Sequence, residues 1–163
     1  MANTMYLKLK GASTGDIKGD CSQAGREDMI LVYDFDHTVE VPVDNHTGLA
    51  TGQRIHKPLK ITKHKDQSTP LLYQACCTGE QITEFELHFY RINDKGKEEQ
   101  YFTMKLANAV IVTMQEHTPM TFLPENKPYH DMEVVWFSYE KIVWTYNPDG
   151  IESEDDWKSP NAA

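Results

Sequence analysis

The sequence predicts a mainly β protein, a barrel or sandwich that carries one short helix. Two observations support this fold class. Apolar and polar residues alternate along most of the 163-residue chain, which is the pattern of strands that bury one face. Convincing helix signals occur in one stretch alone, residues 69–78. Because most enzyme folds with nucleotide or metal pockets need more helices, this choice of elements weighs against an enzyme.

Six segments have the alternation of a strand. The first is short and places Met5, Leu7 and Leu9 on one face. The second is either one long strand or two strands joined by a bend, with Met29, Leu31, Tyr33, Phe35, Val39, Val41 and Val43 on the buried face. A hairpin turn is predicted at residues 93–97, where Asn, Asp and Gly cluster. The predicted strands cover residues 5–9, 29–43, 55–63, 83–90, 102–114 and 132–146.

The helix has start and stop signals at the right spacing. Thr69 is the predicted N-cap, Pro70 suits the first helical position, and Gly79 stands where a C-terminal glycine belongs. Small apolar residues recur at helical spacing, which predicts that one stripe faces inward. That stripe consists of Leu72, Ala75, Cys76 and Gly79.

The three cysteines do not form a metal or redox motif. Cys76 and Cys77 are adjacent on the predicted helix, Cys21 is distant, and neither CxxC spacing nor a matched histidine pair occurs. Neighbouring cysteines on one helix rarely bridge each other, so we interpret this pair as small packing residues. The pattern predicts a chain that is made and folded in the cytoplasm.

Two long loops and a polar tail interrupt the strands. The second loop, residues 116–130, contains three prolines, and residues 147–163 form the predicted tail. Long ordered loops in compact domains are often functional, whereas the alternative is a mobile surface loop, and the sequence alone leaves both open. The first loop consists of Asp44, Asn45, His46, Thr47, Gly48, Leu49, Ala50, Thr51, Gly52 and Gln53.

The last predicted strand is apolar on both faces. Val134, Trp136, Ile142 and Trp144 alternate with Val135, Phe137, Tyr139 and Val143. A strand of an antiparallel sheet usually leaves one face to water, and one short helix covers little of a sheet. We therefore predict that another subunit covers part of this surface, with the helix and long loops of the same chain as the alternative. The predicted interface residues are Val135, Phe137, Tyr139 and Val143.

Charge and hydropathy exclude several classes of partner. The formal net charge of −9 argues against nucleic acid, because phosphate binding favours a basic surface. No apolar run approaches the length that crosses a membrane, and the first residues do not form a secretory signal peptide. We therefore expect neither a nucleic-acid nor a membrane partner.

One motif indicates possible chemistry. Asp34 and Asp36 lie in the sequence Val-Tyr-Asp-Phe-Asp-His-Thr, which matches the first motif of haloacid-dehalogenase-type phosphatases, where the first Asp is the nucleophile. That motif needs a strand that stops before a helix, whereas here the β alternation continues through residues 39–43. The seven histidines lack metal-binding spacing, and His37 is interpreted as a satisfied core histidine. We predict no catalytic residue, no cofactor and no metal.

Four groups of residues, taken in chain order, resemble one known family. They are Tyr6–Leu9 followed by a glycine; Phe35-Asp36-His37 and residues 52–59, which flank the long loop; the helix from Thr69 to Gly79-Glu80 with a strand that ends in Tyr90-Arg91; and residues 106–111, 138–144 and 155–157. Each group alone is weakly specific, whereas their order and spacing span almost the whole chain. The sequence thus resembles the hemolysin-coregulated protein (Hcp) family, although Cys76-Cys77 stands where small or polar residues are usual.

This resemblance implies a single domain, residues 1–163, built as a β-barrel of two antiparallel sheets with one flanking helix, similar to phage tail-tube proteins. It implies a structural subunit of the type VI secretion system inner tube, in which homo-hexameric rings stack. The tube assembles in the cytoplasm, contacts sheath and spike proteins, and is expelled without a signal peptide, with effector proteins in its lumen. We assign residues 44–53 to ring stacking as a hypothesis. The alternatives are a monomeric small-ligand-binding β-barrel and a phosphatase that uses Asp34 and Asp36.

Overall fold

The computed structural model describes residues 3–157 and confirms the mainly β fold class. Every strand pairing in this part of the chain is antiparallel. The elements are β1 (Thr4–Gly11), β2 (Gly15–Ile17), β3 (Ile30–Val32), β4 (Asp34–Asp36), β5 (Val39–Glu40), β6 (Ile55–His56), β7 (Leu59–His64), α1 (Thr69–Thr78), β8 (Gln81–Ile92), β9 (Glu98–Ala107), β10 (Ala109–His117), a 3-10 turn (Pro124–Asn126), β11 (Met132–Ser138), β12 (Lys141–Tyr146) and β13 (Ile151–Asp156).

The strands close into a barrel. Along the sheet β8 pairs with β10, β10 with β11, β11 with β7, and β7 with β4, while β8 also pairs with β1 and β1 with β3. Because only Tyr33 separates β3 from β4, the chain itself closes the barrel between β1 and β7. A closed sheet leaves few unpaired strand edges around its circumference.

A three-stranded extension leaves the barrel at β8. β9 pairs with β8, β12 with β9, and β13 with β12. Asn108 lies between β9 and β10 with φ of 52°, a left-handed conformation that Asn adopts more readily than most residues. Its amide accepts a bond from Gln81 and donates one to Glu140 (2.6 and 2.9 Å), so the turn that redirects the chain into the barrel is fixed by side chains.

Side chains fill the barrel interior. Phe85 and Phe137 meet edge to face with ring centroids 4.9 Å apart, and both are almost fully buried. The core also includes the following apolar residues: Leu7, Leu9, Ile17, Ile30, Val32, Leu59, Ile61, Leu72, Ala75, Ile82, Leu87, Met104, Leu106, Ala109, Ile111, Val135, Tyr139 and Ile142. A barrel packed in this way does not support the small-ligand-binding alternative. None of the helices among residues 3–157 combines the length and apolar character needed to cross a bilayer.

The predicted helix is confirmed at residues 69–78, with one correction at its start. Ser68 is the N-cap, and Thr69, which we predicted as the cap, is already helical. The reason is a turn around Asp66: its N–H donates to Thr69 Oγ1 (3.2 Å), and its carboxylate accepts from the Ser68 N–H (2.8 Å). Gly79 ends the helix with φ of 68°, as its identity predicts. Leu72 and Ala75 are buried where the helix packs on β10.

The predicted second segment is three strands rather than one or two, and its predicted buried face is wrong at residues 30–33, although Phe35 does pack against the core. Residues 29–43 form β3, β4 and β5, and the buried residues are Ile30 and Val32, while Tyr33 and Val39 are exposed. Apolar residues occur at both odd and even positions here, and a shift of one residue moves every side chain to the other face. Ile30 and Val32 face the barrel interior, so they are the residues of this segment that are buried.

The predictions for the end of the chain also need correction. The apolar run 132–146 is two strands, β11 and β12, with Tyr139 and Glu140 between them. Part of the predicted polar tail forms β13, which pairs with β12 in full register from Ile151 to Asp156. Residues 158–163 of that tail lie outside the described part of the chain.

Candidate functional site

Several exposed apolar residues lie in the loop between β5 and β6. These two strands form a short ribbon in which Val39 lies opposite His56. Val41, Val43 and Leu49 are 49, 55 and 68% exposed. Exposed apolar side chains close together mark surfaces that a partner covers. We call residues 41–54 the β5–β6 loop; it contains all ten predicted stacking residues, Asp44 to Gln53.

Hydrogen bonds give the β5–β6 loop a defined shape. The Asp44 carboxylate accepts the backbone N–H of His46 (2.7 Å) and of Thr47 (3.3 Å). The Asp44 N–H donates to the Leu49 carbonyl (2.8 Å), and Val43 forms a β-bridge with Ala50. The segment thus forms a hydrogen-bonded turn at residues 45–47, and Leu49 lies beside the bridge at the base of this turn.

A network of polar side chains anchors both ends of this loop. The Tyr139 hydroxyl lies 2.7 Å from His37 Nε2 and 2.7 Å from His56 Nδ1. His56 Nε2 lies 2.5 Å from Asp155, and Arg54 donates two bonds to the same carboxylate (2.7 and 2.8 Å). His37 lies just before β5, Arg54 is the last residue of the loop, and His56 lies in β6. One network therefore joins both ends of the loop to Asp155 on β13. We call these five residues the anchoring network.

The anchoring network has a defined protonation pattern. The hydrogen bonds from Arg54, followed by the one from His56, lower the pKa of Asp155, which holds this carboxylate ionised. Burial lowers the pKa of His37, and the neighbouring His56 lowers it further. Burial, with the charge of Asp155 as the lesser cause, raises the pKa of the Tyr139 hydroxyl. At neutral pH the hydroxyl is therefore protonated and can donate to one imidazole while it accepts from the other.

The predicted subunit interface is corrected at three of its four positions. Val135 and Phe137 are fully buried and Tyr139 is 5% exposed, because β11 is paired on both sides and turns these residues into the barrel. They offer no surface to another subunit. Val143, on β12, is partly exposed and can still contact a neighbour. The sequence showed two apolar faces and gave no signal that distinguished the inner face from the outer one.

The phosphatase motif is in the wrong structural context. Asp34 and Asp36 are exposed on β4, a three-residue strand that pairs antiparallel with β7 opposite Thr62 and Lys60. The motif requires a carboxylate at the end of a buried parallel strand, before a loop and helix. His37, interpreted as a satisfied histidine, is half-buried and bonded to Tyr139, as described above.

Sequence reasoning missed a buried group of charges. Lys63 and Glu133 are fully buried, and Lys63 Nζ donates to Glu133 Oε2 (2.9 Å) and approaches Asp66 Oδ1 (3.1 Å). Both residues stand at core positions of paired strands, β7 and β11. Opposite charges at matching inward positions of two apolar strands are the signal that could have identified the pair.

Comparison with known proteins gives a consistent result. The family model of the type VI secretion system effector Hcp matches residues 6–146. The Major exported protein of Pseudomonas aeruginosa is 41% identical over 156 residues, which are 96% of this chain and 91% of that protein. Two solved structures are similar: an Hcp protein, 33% identical with a TM-score of 0.90 over 97% of this chain and 99% of that one, and Hcp1 of E. coli EAEC 042, 38% identical with a TM-score of 0.83 over 94% and 98%.

The matched span runs from β1 to the end of β12 and includes the β5–β6 loop, α1 and Tyr139. Members of the matched family are structural tube proteins, which agrees with the unsuitable context of Asp34 and Asp36 for phosphatase chemistry. The function is therefore that of a tube subunit rather than an enzyme. The family match and the structural agreement over nearly the full chain show that this protein belongs to the Hcp family of type VI secretion systems.

Proposed function

We propose that the chain forms homo-hexameric rings that stack into the type VI inner tube, which is expelled from the cell with effector proteins in its lumen. The sheath and the spike are its proposed partners, and the cytoplasm is its proposed site of assembly. The observation that carries the proposal is the exposed apolar surface of the β5–β6 loop, which an isolated subunit would leave in water. Repeated copies of one surface patch that meet a different patch give rings, and stacked rings give a tube.

The ten residues Asp44 to Gln53 are the proposed contact between rings. Backbone N–H groups of this segment donate to the Asp44 carboxylate and so shape the segment before it meets a partner. This preorganisation lowers the entropy cost of docking. Leu49 is 68% exposed, the highest value among the large apolar residues of this loop, and is proposed to bury apolar surface on a neighbouring ring. Val143 is proposed as a contact between subunits within a ring.

A second exposed apolar group supports self-assembly. The loop between β10 and β11 carries Met120, Phe122 and Tyr129, which are 54, 77 and 56% exposed. Phe122 is the most exposed of the large apolar side chains in the described residues. Two such loops on one chain provide separate surfaces, as a subunit with several neighbours requires.

A single substitution tests the stacking assignment. Leu49→Asp places a charge where apolar burial is proposed, and Leu49→Met is the matched control because it keeps the apolar volume. Native mass spectrometry of both variants should show six chains. Negative-stain imaging should show tubes for Leu49→Met and separate rings for Leu49→Asp, and only Leu49→Met should be secreted in quantity.

Replacement of residues 44–53 by a Gly/Ser linker of equal length is the stronger form of the test. It should also retain rings and lose tubes. Normal tubes and secretion from Leu49→Asp and from the linker variant would contradict the assignment. Loss of the hexamer itself would place the loop in contacts within the ring instead.

A further inference from the structure

A cluster of metal-binding side chains lies away from the assembly surfaces described above. Asp20 is in the loop between β2 and β3, His64 is the last residue of β7, and Asp66 precedes α1. One ligand atom from each lies within 4.8 Å of the other two, and His64 Nε2 is 3.8 Å from Asp20 Oδ2. Separate parts of the chain thus present one imidazole and two carboxylates to the same point.

The Asp66 carboxylate is incompletely bonded. Its side chain is 1% exposed, and its Oδ1 accepts from the Ser68 N–H (2.8 Å) and approaches Lys63 Nζ (3.1 Å). Its Oδ2 is buried and has no hydrogen-bond partner among residues 3–157. A buried carboxylate oxygen without a hydrogen-bond donor of its own destabilises the folded chain. The Asp66 carboxylate, one of the three groups of the cluster, therefore has an oxygen that is free to bind a cation.

The surrounding charges also favour a cation. Lys63 is the single positive charge between the carboxylates of Asp66 and Glu133, and its side chain and both of theirs are at most 1% exposed. This buried trio carries one excess negative charge when both acids are ionised, and Asp20 adds a second. Buried charges are stable only when they are paired or bound to a metal. A divalent cation beside Asp66 would balance the group.

His64 is oriented for coordination through Nε2. Its Nδ1 lies 2.9 Å from the Tyr33 hydroxyl, so an Nδ1–H that donates to that oxygen leaves the Nε2 lone pair directed at the Asp20 side. Two tetrahedral ligands at about 2.1 Å from a metal stand about 3.4 Å apart. The distance of 3.8 Å between His64 Nε2 and Asp20 Oδ2 therefore needs only a small rotation of the half-exposed Asp20 side chain.

We propose that Asp20, His64 and Asp66 bind a divalent transition metal of the Zn²⁺ class, with water as the remaining ligand. An imidazole with two carboxylates suits Zn²⁺, whereas Mg²⁺ and Ca²⁺ prefer oxygen ligands alone. The metal fastens the loop that contains Asp20 to the connection between β7 and α1. Its role is to stabilise the subunit, and it does not depend on the proposed stacking contacts.

The test uses the full chain with any affinity tag removed and after treatment with EDTA. Calorimetric titration with ZnCl₂ should show one site per chain. The melting temperature should rise by roughly 5–10 °C at a free Zn²⁺ concentration about 100 times the Kd. Titration with MgCl₂ should leave the melting temperature unchanged.

Four variants separate coordination from general stability. Asp20→Asn and His64→Gln remove ligands at partly exposed positions and should weaken Zn²⁺ binding by at least about tenfold. Tyr33→Phe removes the orienting bond to His64 and should weaken binding by about 10–100-fold. His117→Gln is the control, because it removes an exposed histidine that is not among the three ligands and should bind Zn²⁺ like the unmodified chain.

Two results would overturn the proposal. One is an unmodified chain whose melting temperature does not respond to Zn²⁺. The other is equal Zn²⁺ affinity in the unmodified chain and in both Asp20→Asn and His64→Gln.

Discussion

Removal of one hydroxyl group should loosen the anchoring network. Tyr139→Phe keeps the aromatic ring that packs edge to face on His56, with ring centroids 5.5 Å apart. It deletes the oxygen that lies 2.7 Å from each of two imidazoles, those of His37 and His56. The change therefore isolates two hydrogen bonds from the packing around them.

The expected loss follows from the burial of the two histidines. His56 is 4% exposed, so its Nδ1 loses its partner without gaining water, which costs about 1–3 kcal/mol. His37 is half-buried and recovers part of its bond from solvent, so it adds little. We expect a total near 2 kcal/mol, which corresponds to a decrease of roughly 4–8 °C in melting temperature.

The measurement is urea or thermal unfolding at neutral pH and at one fixed protein concentration, because assembly stabilises the folded chain. Tyr129→Phe is the matched control: this tyrosine is 56% exposed, so its loss should change stability by under about 0.5 kcal/mol. If Tyr139→Phe is as stable as the Tyr129→Phe control, the shared hydroxyl does not hold the network and the reasoning is refuted.

Two further predictions concern buried charge and pH. Lys63→Met leaves Glu133 and Asp66 buried without their cation, so urea unfolding should show a decrease of about 3–5 kcal/mol in the free energy of unfolding. The double variant Lys63→Met/Glu133→Leu should recover part of this decrease. A decrease below about 1 kcal/mol in the single variant would contradict the ion pair. Burial and then the neighbouring His56 lower the pKa of His37 from 6.5, so the unfolded chain binds this proton more readily than the folded chain. The stability contributed by neutral His37 is thus complete above pH 6.5 and declines as the pH falls below it. His37→Gln should flatten this part of the stability–pH profile, and an unchanged profile would contradict the assignment to His37.

The sequence predicted the helix and the strand class because their signals are local. The helix at residues 69–78 depends on Pro70, Gly79 and a stripe at helical spacing, all within one short segment. The hairpin turn near Gly96 is equally local, and Asn93 closes it with the bond from its N–H to the Lys97 carbonyl (2.8 Å). Signals of this kind do not depend on the rest of the chain, so they were predicted correctly.

The faces of the strands could not be predicted where both faces are apolar. Ile30 and Val32 are buried although Leu31 and Tyr33 belong to an equally convincing apolar set. The buried face is set by the pairing of β3 with β1 and of the following strand, β4, with β7, which are contacts between distant parts of the sequence. For the same reason the prediction placed Val135 and Phe137 at the interface, whereas both lie in the core.

The polar groups of the candidate site were the hardest to predict, because they meet only in the folded barrel. Asp155 is about 100 residues from Arg54 and lies on β13, in a segment that the sequence analysis predicted to be a polar tail. An alternation of Ile151, Ser153 and Asp155 against β12 is weak in sequence and becomes a strand only through pairing. The family resemblance included residues 155–157 and was therefore the only indication of their importance.

In the proposed assembly, the anchoring network and the loop it holds have complementary tasks. Apolar contacts from Leu49 and its neighbours can supply binding energy, but such contacts have little directional preference. The bonds among His37, Tyr139, His56 and Asp155 have strict distance and angle requirements, so they fix where the loop leaves the barrel. A tube made of many identical contacts needs both, since a small error in loop direction is repeated at every ring. Weakening the network should thus impair tube formation at a temperature where the barrel itself is still folded.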